Sequence, residues 1–392
     1  MPRLALTSNY ATAYAVKMCD VDVIPVYPIT PQTTIAEKLS EFVANGELNA
    51  EIIHVESEHS ALSACVGASA AGARVFTATC SQGLMLAYEL LPIMSGLRLP
   101  VVMAVPCRAL SAPISIHGDY IDLMVARDAG WIILISSCAQ EVFDNVIQAF
   151  RIAEHRDVLL PVMVAYDGFL MSHTIEPVEV PDDENIVREF VPKKREWLYL
   201  DVDRPVTMGP LAGPDWYYEI RFQQVPAMRN AYKIVKEVAE EFYKKFGRKY
   251  DTIELYRAED AEYLMIGYGA VWGFIEEAVD RLREKGVSIG GMRIRLLRPL
   301  PVDDIASALR GRKGFIVIDK ALITGMPVGP VFSDITTALK IANVDVPGIS
   351  AVHGVGQRTM YIRDFVELAE KGIEMFKSGK IPRESIYLGL RA

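Results

Sequence analysis

Short, unbroken apolar runs recur along the chain, and most of them lead into a stretch with helical spacing. "DVIPVYP" precedes "TTIAEKLSEFVANG", "AEIIHVE" precedes "SEHSALSACVGASAAG", and "ARVFTATC" precedes "SQGLMLAYELLPIMSG". "LPVVMAVPC", "WIILISSC" with "AQEVFDNVIQAFRIAEHR", and "LPVMVAYDGF" continue the series. A strand that is apolar on both faces must be covered on both faces, and helices between such strands supply the cover. The pattern predicts an α/β fold, with a doubly wound parallel sheet over residues 1–180.

The alternation stops at "EPVEVPDDENIVREFVPKKREWLYLDVDRPVTMGPLAGPDW", where prolines, charges and glycines take over. Residues 181–258 therefore read as a connector whose aromatic residues pack on something. It ends in a long amphipathic helix, bent at Pro226 and continuous from Met228 to Phe246. From 259 to 392 the alternation resumes in "AEYLMIGYG", "GFIVIDKA" and "PGISAVHGVG", which predicts a smaller α/β domain of four or five strands.

Composition excludes several classes of function. A net charge of −9 leaves no basic excess for neutralising phosphates, so nucleic acid is not expected as a partner. The five cysteines are scattered without a Cys-x-x-Cys pair, and the six histidines are equally dispersed, so no metal or iron–sulfur site is expected on this chain. No apolar run reaches the roughly 18 residues of a membrane span, and the N-terminal stretch lacks the apolar core of a signal peptide. A cytoplasmic protein is expected.

Three polar groups fall at the ends of predicted strands, where open parallel sheets bind their ligands. "VYPITPQTT" holds Thr30 between Pro28 and Pro31, whose fixed φ angles make an extended elbow. "VESEHSA" carries Glu56 and Glu58 from a strand into a helix. "PCRALSAPISIHGDYID" places Arg108 after a fully apolar strand, ahead of a loop with His117 and Asp119. The guanidinium is a fork of donors suited to a carboxylate or phosphate, and Thr30 adds one more donor. A small anionic substrate would meet both. Each residue also has a plainer explanation, as surface arginine, turn threonine or first-turn acid, and it is their convergence that points to a site.

"GYGAVWG", Gly267 to Gly273, opens a helix after a strand and so resembles a dinucleotide fingerprint. Its spacing is one residue too long, and no acidic residue ends a second strand about twenty residues on. A tight strand-to-helix turn explains these glycines better, and an independent nucleotide-binding oxidoreductase is the lesser alternative.

Taken in order, "YPITPQTTIAE", "VESEHSALSACVGASAAGARVFTATCSQGL", "RALSAPISIHGDYID" and "YDGFLMSHT" resemble the α subunits of 2-oxoacid:ferredoxin oxidoreductases, and most those of the pyruvate:ferredoxin branch. The resemblance runs over nearly the whole chain. It implies a thiamine diphosphate enzyme that decarboxylates a 2-oxoacid with coenzyme A, giving an acyl-CoA, carbon dioxide and reduced ferredoxin. Residues 1–180 would be the pyrimidine-binding domain and 259–392 a transketolase C-terminal-like domain. The Gly-Asp-Gly signature for the diphosphate and Mg2+ is absent from the sequence. A β subunit is thus implied to supply these and a proximal iron–sulfur cluster, alongside a ferredoxin-like subunit and a γ subunit.

The resemblance also assigns roles. Glu58 matches the glutamate that hydrogen-bonds the cofactor's pyrimidine N1′ and promotes its reactive tautomer, with Glu56 as the fallback. Pro28 and Ile29 would line the cofactor. Arg108 would pair the substrate carboxylate, Thr30 would bond its carboxylate or oxo oxygen, and His117 and Asp119 would close or gate the site. An oxalate-specific branch has arginine where this chain has Thr30, so Thr30 suits a substrate with one carboxylate and an apolar tail. Pyruvate is the expected substrate. A branched-chain 2-oxoacid such as 2-oxoisovalerate is the alternative, and a non-catalytic scaffold subunit the alternative of another class.

Overall fold

A computed structural model describes residues 2–193 and 200–391. Part of the expected connector, including Trp197, lies outside the described residues. Seven strands form the larger sheet, in the order Leu296–Arg298, Ile132–Ile135, Val162–Asp167, Val101–Cys107, Val75–Ala78, Val23–Val26 and Glu51–His54. All neighbours are parallel except the first pair.

Successive side chains of each central strand point to opposite faces. Val102 and Ala104 enter one core while Val101, Met103 and Val105 enter another, and Ile132 and Leu134 part in the same way from Ile133 and Ile135. Each such apolar side chain taken from water contributes about 1.5–3 kcal/mol, which is why runs with no polar residue at all become central strands. The first core lies under helices Ser8–Met18, Thr33–Ala44, Ala139–Ala153 and Gln224–Phe246. Beneath the opposite face are helices Glu58–Ala70 and Leu90–Gly96, together with the second sheet.

That second sheet has six strands, in the order Ile386–Tyr387, Gly348–Val352, Gly314–Asp319, Tyr263–Gly267, Ile289–Ile294 and Ile253–Tyr256, against the four or five expected. "MRIRLLRPLP" reads as one run but forms two strands, because Arg295 interrupts it. Ile289–Ile294 stays in the second sheet, and Leu296–Arg298 crosses to pair antiparallel with Ile132–Ile135. Arg295 is buried at the crossing, where Nη2 donates to Asn145 Oδ1 at 2.6 Å and Gln148 Oε1 at 3.0 Å. One continuous run thus feeds both sheets, which also share a core.

Other local readings shift for identifiable reasons. Pro226 does not bend the long helix, because it sits in the first turn of Gln224–Phe246, where its missing N–H would have had no partner. The break falls at Gln223, after a separate helix Pro214–Phe222. That helix buries no residue, so Trp216, Tyr217, Tyr218 and Phe222 do not pack on this chain's core as the aromatic content suggested. A two-stranded antiparallel sheet, Arg3–Leu6 with Glu176–Glu179, was not expected. Among the described residues, no helix is long and apolar enough to cross a membrane.

Candidate active site

The order of the larger sheet reverses between Val23–Val26 and Val75–Ala78. From the former the chain goes outward to Glu51–His54, then returns across it to the latter. A crevice forms outside the carboxyl ends at such a reversal. Tyr27–Pro31, Glu56–Glu58, Thr79–Ser81 and Arg108 all leave strands at this edge.

Glu58 opens the helix Glu58–Ala70. Ser57 caps that helix, its hydroxyl oxygen accepting the Ser60 N–H at 3.2 Å, which fixes the first turn and is worth about 1 kcal/mol. The Glu58 side chain is buried and, among the described residues, makes no hydrogen bond or ion pair. Beside it the Thr79 hydroxyl is also buried without a partner. A Cβ built on Gly83 would fall on the Glu58 and Thr79 oxygens, so glycine there leaves the carboxylate its room. Burying a hydroxyl unpaired costs about 1–3 kcal/mol unless something completes it. A carboxylate and a hydroxyl side by side fit a flat heterocycle bearing a ring nitrogen and an amino group. The residues present therefore fit the pyrimidine end of thiamine diphosphate. Glu56, by contrast, is exposed and accepts a hydrogen bond from Ser60, which holds its carboxyl below the usual range.

Thr30 and Arg108 meet directly. Arg108 Nη1 donates to the Thr30 carbonyl at 2.8 Å, Nε to the Ser115 carbonyl at 2.9 Å, and Nη2 to Gln82 Oε1 at 3.4 Å. The guanidinium is nearly buried, and among the described residues no carboxylate lies within ion-pair distance of it. A buried cation held by neutral oxygens retains its full charge for an incoming anion. One short helix, Ser81–Leu86, joins the two halves of the site, since Gln82 touches Arg108 and Gly83 abuts Glu58.

The elbow is held by residues that the sequence reading missed. Asn9 Nδ2 donates to the Pro31 carbonyl at 2.7 Å and to Thr34 Oγ1 at 2.8 Å, and Tyr166 OH donates to Asn9 Oδ1 at 2.8 Å. Gln32 Oε1 accepts the Ile29 N–H at 3.2 Å. Thr34 is thereby engaged and Thr33 starts the next helix, whereas the Thr30 side chain is exposed at the mouth of the crevice. Pro28 is exposed and Ile29 half-buried beside it.

His117 is exposed, with its ring 5.5 Å from that of Phe169 and its carbonyl accepting the Ala109 N–H at 3.0 Å. Among the described residues, Asp119 makes no hydrogen bond to Thr30, Glu58 or Arg108. It is fully buried and accepts the N–H groups of Ile121 and Gly356, each at 3.0 Å, which ties the loop to the second sheet's domain.

The glycine run is a strand-to-helix turn. Gly269 has φ +57°, and the space against it is filled by the Tyr120 hydroxyl and the Asp167 carboxylate, which accepts the Ala270 N–H at 3.1 Å. Asp167 also pairs with buried Lys320, so a pyrophosphate would meet an anion here. A cleft of about 970 Å³ lined by Cys138, Glu141, Tyr250, Glu254 and Arg293 lies away from the crevice. Its arginine Arg293 is already engaged, donating to Glu141 at 2.5 Å and to Glu254 at 2.8 Å.

Comparison with known proteins identifies the family. Residues 14–240 match the family described as pyruvate flavodoxin/ferredoxin oxidoreductase, thiamine diphosphate-binding, and residues 261–365 match pyruvate:ferredoxin oxidoreductase core domain II. The chain is 48% identical over 365 residues to pyruvate synthase subunit PorA of Methanocaldococcus jannaschii, covering 92% of each chain. It is 40% identical to ketoisovalerate oxidoreductase subunit VorA of Pyrococcus horikoshii, covering 97% of this chain and 96% of that one. The solved 2-oxoglutarate:ferredoxin oxidoreductase of Magnetococcus marinus has the same fold, with a TM-score of 0.73 at 18% identity over 95% of this chain. The chain spans 65% of the length of that enzyme's chain. The first of these matches spans more than half of the sequence and contains the Glu58, Thr30 and Arg108 crevice, so the chain belongs to the pyruvate flavodoxin/ferredoxin oxidoreductase family.

Proposed function

We propose that this chain is the α subunit of a thiamine diphosphate-dependent pyruvate:ferredoxin oxidoreductase, which converts pyruvate and coenzyme A to acetyl-CoA, carbon dioxide and reduced ferredoxin. The observation that carries the reading is the pairing, at one sheet edge, of an unpartnered buried carboxylate with a buried guanidinium facing no acid. The first suits the cofactor's pyrimidine ring and the second a 2-oxoacid's carboxylate.

Thiamine diphosphate, when bound, supplies the electron sink for decarboxylation. Glu58 holds a proton between its carboxyl and pyrimidine N1′, and its burial keeps water from competing for that hydrogen bond. Pro28 and Ile29 line the ring. Arg108 binds the substrate carboxylate, and the Thr30 hydroxyl donates to the carboxylate or oxo oxygen. The elbow reaches the substrate already fixed, because two of its carbonyls are held by Arg108 and Asn9. The run 111–117, exposed except at Ser115, covers the bound substrate, and His117 and Asp119 close the site.

The larger sheet's domain, residues 1–180, binds the pyrimidine, and 259–392 is the transketolase C-terminal-like domain, with 181–258 between them. A β subunit carries the diphosphate, Mg2+ and a proximal iron–sulfur cluster. A ferredoxin-like subunit and a γ subunit complete a cytoplasmic complex.

Replacing Thr30 by valine removes the hydroxyl while keeping the side chain's shape. Turnover of the assembled complex is expected to fall about tenfold, the worth of one substrate hydrogen bond, with complex assembly by gel filtration unchanged. Unchanged turnover would leave the elbow as turn chemistry alone.

Pyruvate is favoured by the 48% identity to the pyruvate synthase subunit against 40% to the ketoisovalerate subunit. Steady-state kinetics of the complex on pyruvate and on 2-oxoisovalerate tests this. We expect the higher kcat/KM on pyruvate, and the reverse order would assign the branched-chain reaction.

A further inference from the structure

We propose that Asp122 is the positioning residue for Arg108, holding the substrate-binding guanidinium and the Gln82 segment in register. This rests on the reading of Arg108 as the partner of the substrate carboxylate.

Arg108 lies just beyond the strand Val101–Cys107, where the neighbouring strands have already turned away. On one side the Cys107 carbonyl accepts the Gly168 N–H at 3.0 Å and the sheet ends. The Arg108 N–H, with no strand to receive it, donates instead to Asp122 Oδ2 at 3.0 Å. The same oxygen accepts the N–H of Ser81 at 2.7 Å, and Oδ1 accepts that of Leu123 at 2.8 Å. Ser81 has a left-handed φ of +51° and starts the short helix that carries Gln82 and Gly83. Its hydroxyl lies 2.6 Å from both the Ala109 carbonyl and Gln82 Oε1. One carboxylate oxygen therefore ties the residue before Gln82 to Arg108, two segments that belong to different strands.

The tether is costly. Asp122 is fully buried, and among the described residues it has no ion-pair partner. Burial pushes its carboxyl up to about 7 even against three amide donors. A carboxylate kept in the core without a cation is destabilising unless its geometry is needed. Asparagine cannot replace it cleanly, since an amide that presents oxygen to Ser81 and Arg108 presents NH2 to the Leu123 N–H.

The test is a kinetic cycle on the assembled complex. Asp122→Asn is expected to raise the KM for pyruvate by about tenfold while leaving the KM for coenzyme A within about twofold. In an Arg108→Met background the same change is expected to add nothing, because the group it positions is gone. Ser81→Gly keeps the left-handed backbone and removes only the hydroxyl's bonds. Because its N–H still reaches Asp122, this variant is expected to raise the pyruvate KM by no more than about threefold, whereas Asp122→Glu, which keeps the charge but displaces the oxygen from the Ser81 and Arg108 amides, is expected to raise it by more than that and carries the test if Asp122→Asn fails to assemble. An unchanged pyruvate KM in the assembled variant, or effects that multiply in the double variant, overturns the proposal. An unchanged KM in Arg108→Met alone overturns the assignment of Arg108 instead, and Asp122's role falls with it.

Discussion

Glu58→Gln is expected to lower turnover of the assembled complex by about 10²–10⁴-fold, the range lost when a positioned acid–base group is removed. Glutamine keeps the volume and hydrogen-bonding length of the side chain but cannot exchange a proton. The stability effect should run the other way. Glu58 is a buried residue beside a Thr79 hydroxyl that is buried without a partner, and no cation among the described residues pairs with its carboxylate. Removing a buried charge without a partner relieves its desolvation, so the variant's Tm should equal or exceed the parent's. That combination, activity lost with stability kept, separates a catalytic carboxylate from a structural one. Glu56→Gln is the control. Glu56 is exposed and its bond to Ser60 is local, so turnover should stay within about twofold. If the two variants exchange behaviour, the proton-handling residue is Glu56.

The prominence of Glu58, Thr30 and Arg108 in the sequence has a local cause. Each lies within four residues of the end of a strand, and the two prolines around Thr30 state their own backbone geometry. Unbroken apolar runs made the central strands readable for the same reason, since the evidence for them lies within four to seven consecutive residues, every one of them buried. What was not readable depends on adjacency created by the fold. Asp122 lies inside a quoted motif, yet nothing in its spacing says that its oxygen meets Ser81, 41 positions away across the sheet. Asp119 takes its gating role from the resemblance alone, and that its carboxylate accepts the N–H of Gly356, 237 positions distant, shows only in the fold. Thr79, Gln82 and Asn9 are ordinary polar residues until the end of strand Val75–Ala78 and the start of helix Ser8–Met18 bring them to one edge. The strand Leu296–Arg298 was hidden within a longer run because only tertiary structure decides which sheet its halves join.

Arg108→Met is expected to reduce kcat/KM for pyruvate by about 100-fold, close to 3 kcal/mol, the worth of a charge-assisted pair in a site shielded from water. The guanidinium already spends Nε, Nη1 and Nη2 on Ser115, Thr30 and Gln82, all of them neutral oxygens. These bonds fix its plane without cancelling its charge, so the attraction to a carboxylate is undiminished and its direction is set beforehand. Methionine preserves the aliphatic stem and leaves three acceptors facing the crevice, where water can reach them. The Tm of the complex should therefore fall by only a few degrees, the effect of about 1 kcal/mol in a domain of this size. Arg108→Lys separates charge from geometry. An ammonium keeps the positive charge but cannot satisfy three divergent oxygens, so it should recover part of the loss and leave at least a tenfold deficit. Full recovery would mean that charge alone recruits the substrate and that the bonds to Thr30 and Gln82 play no part. A lysine variant as poor as methionine would make the fork's geometry the whole of the effect.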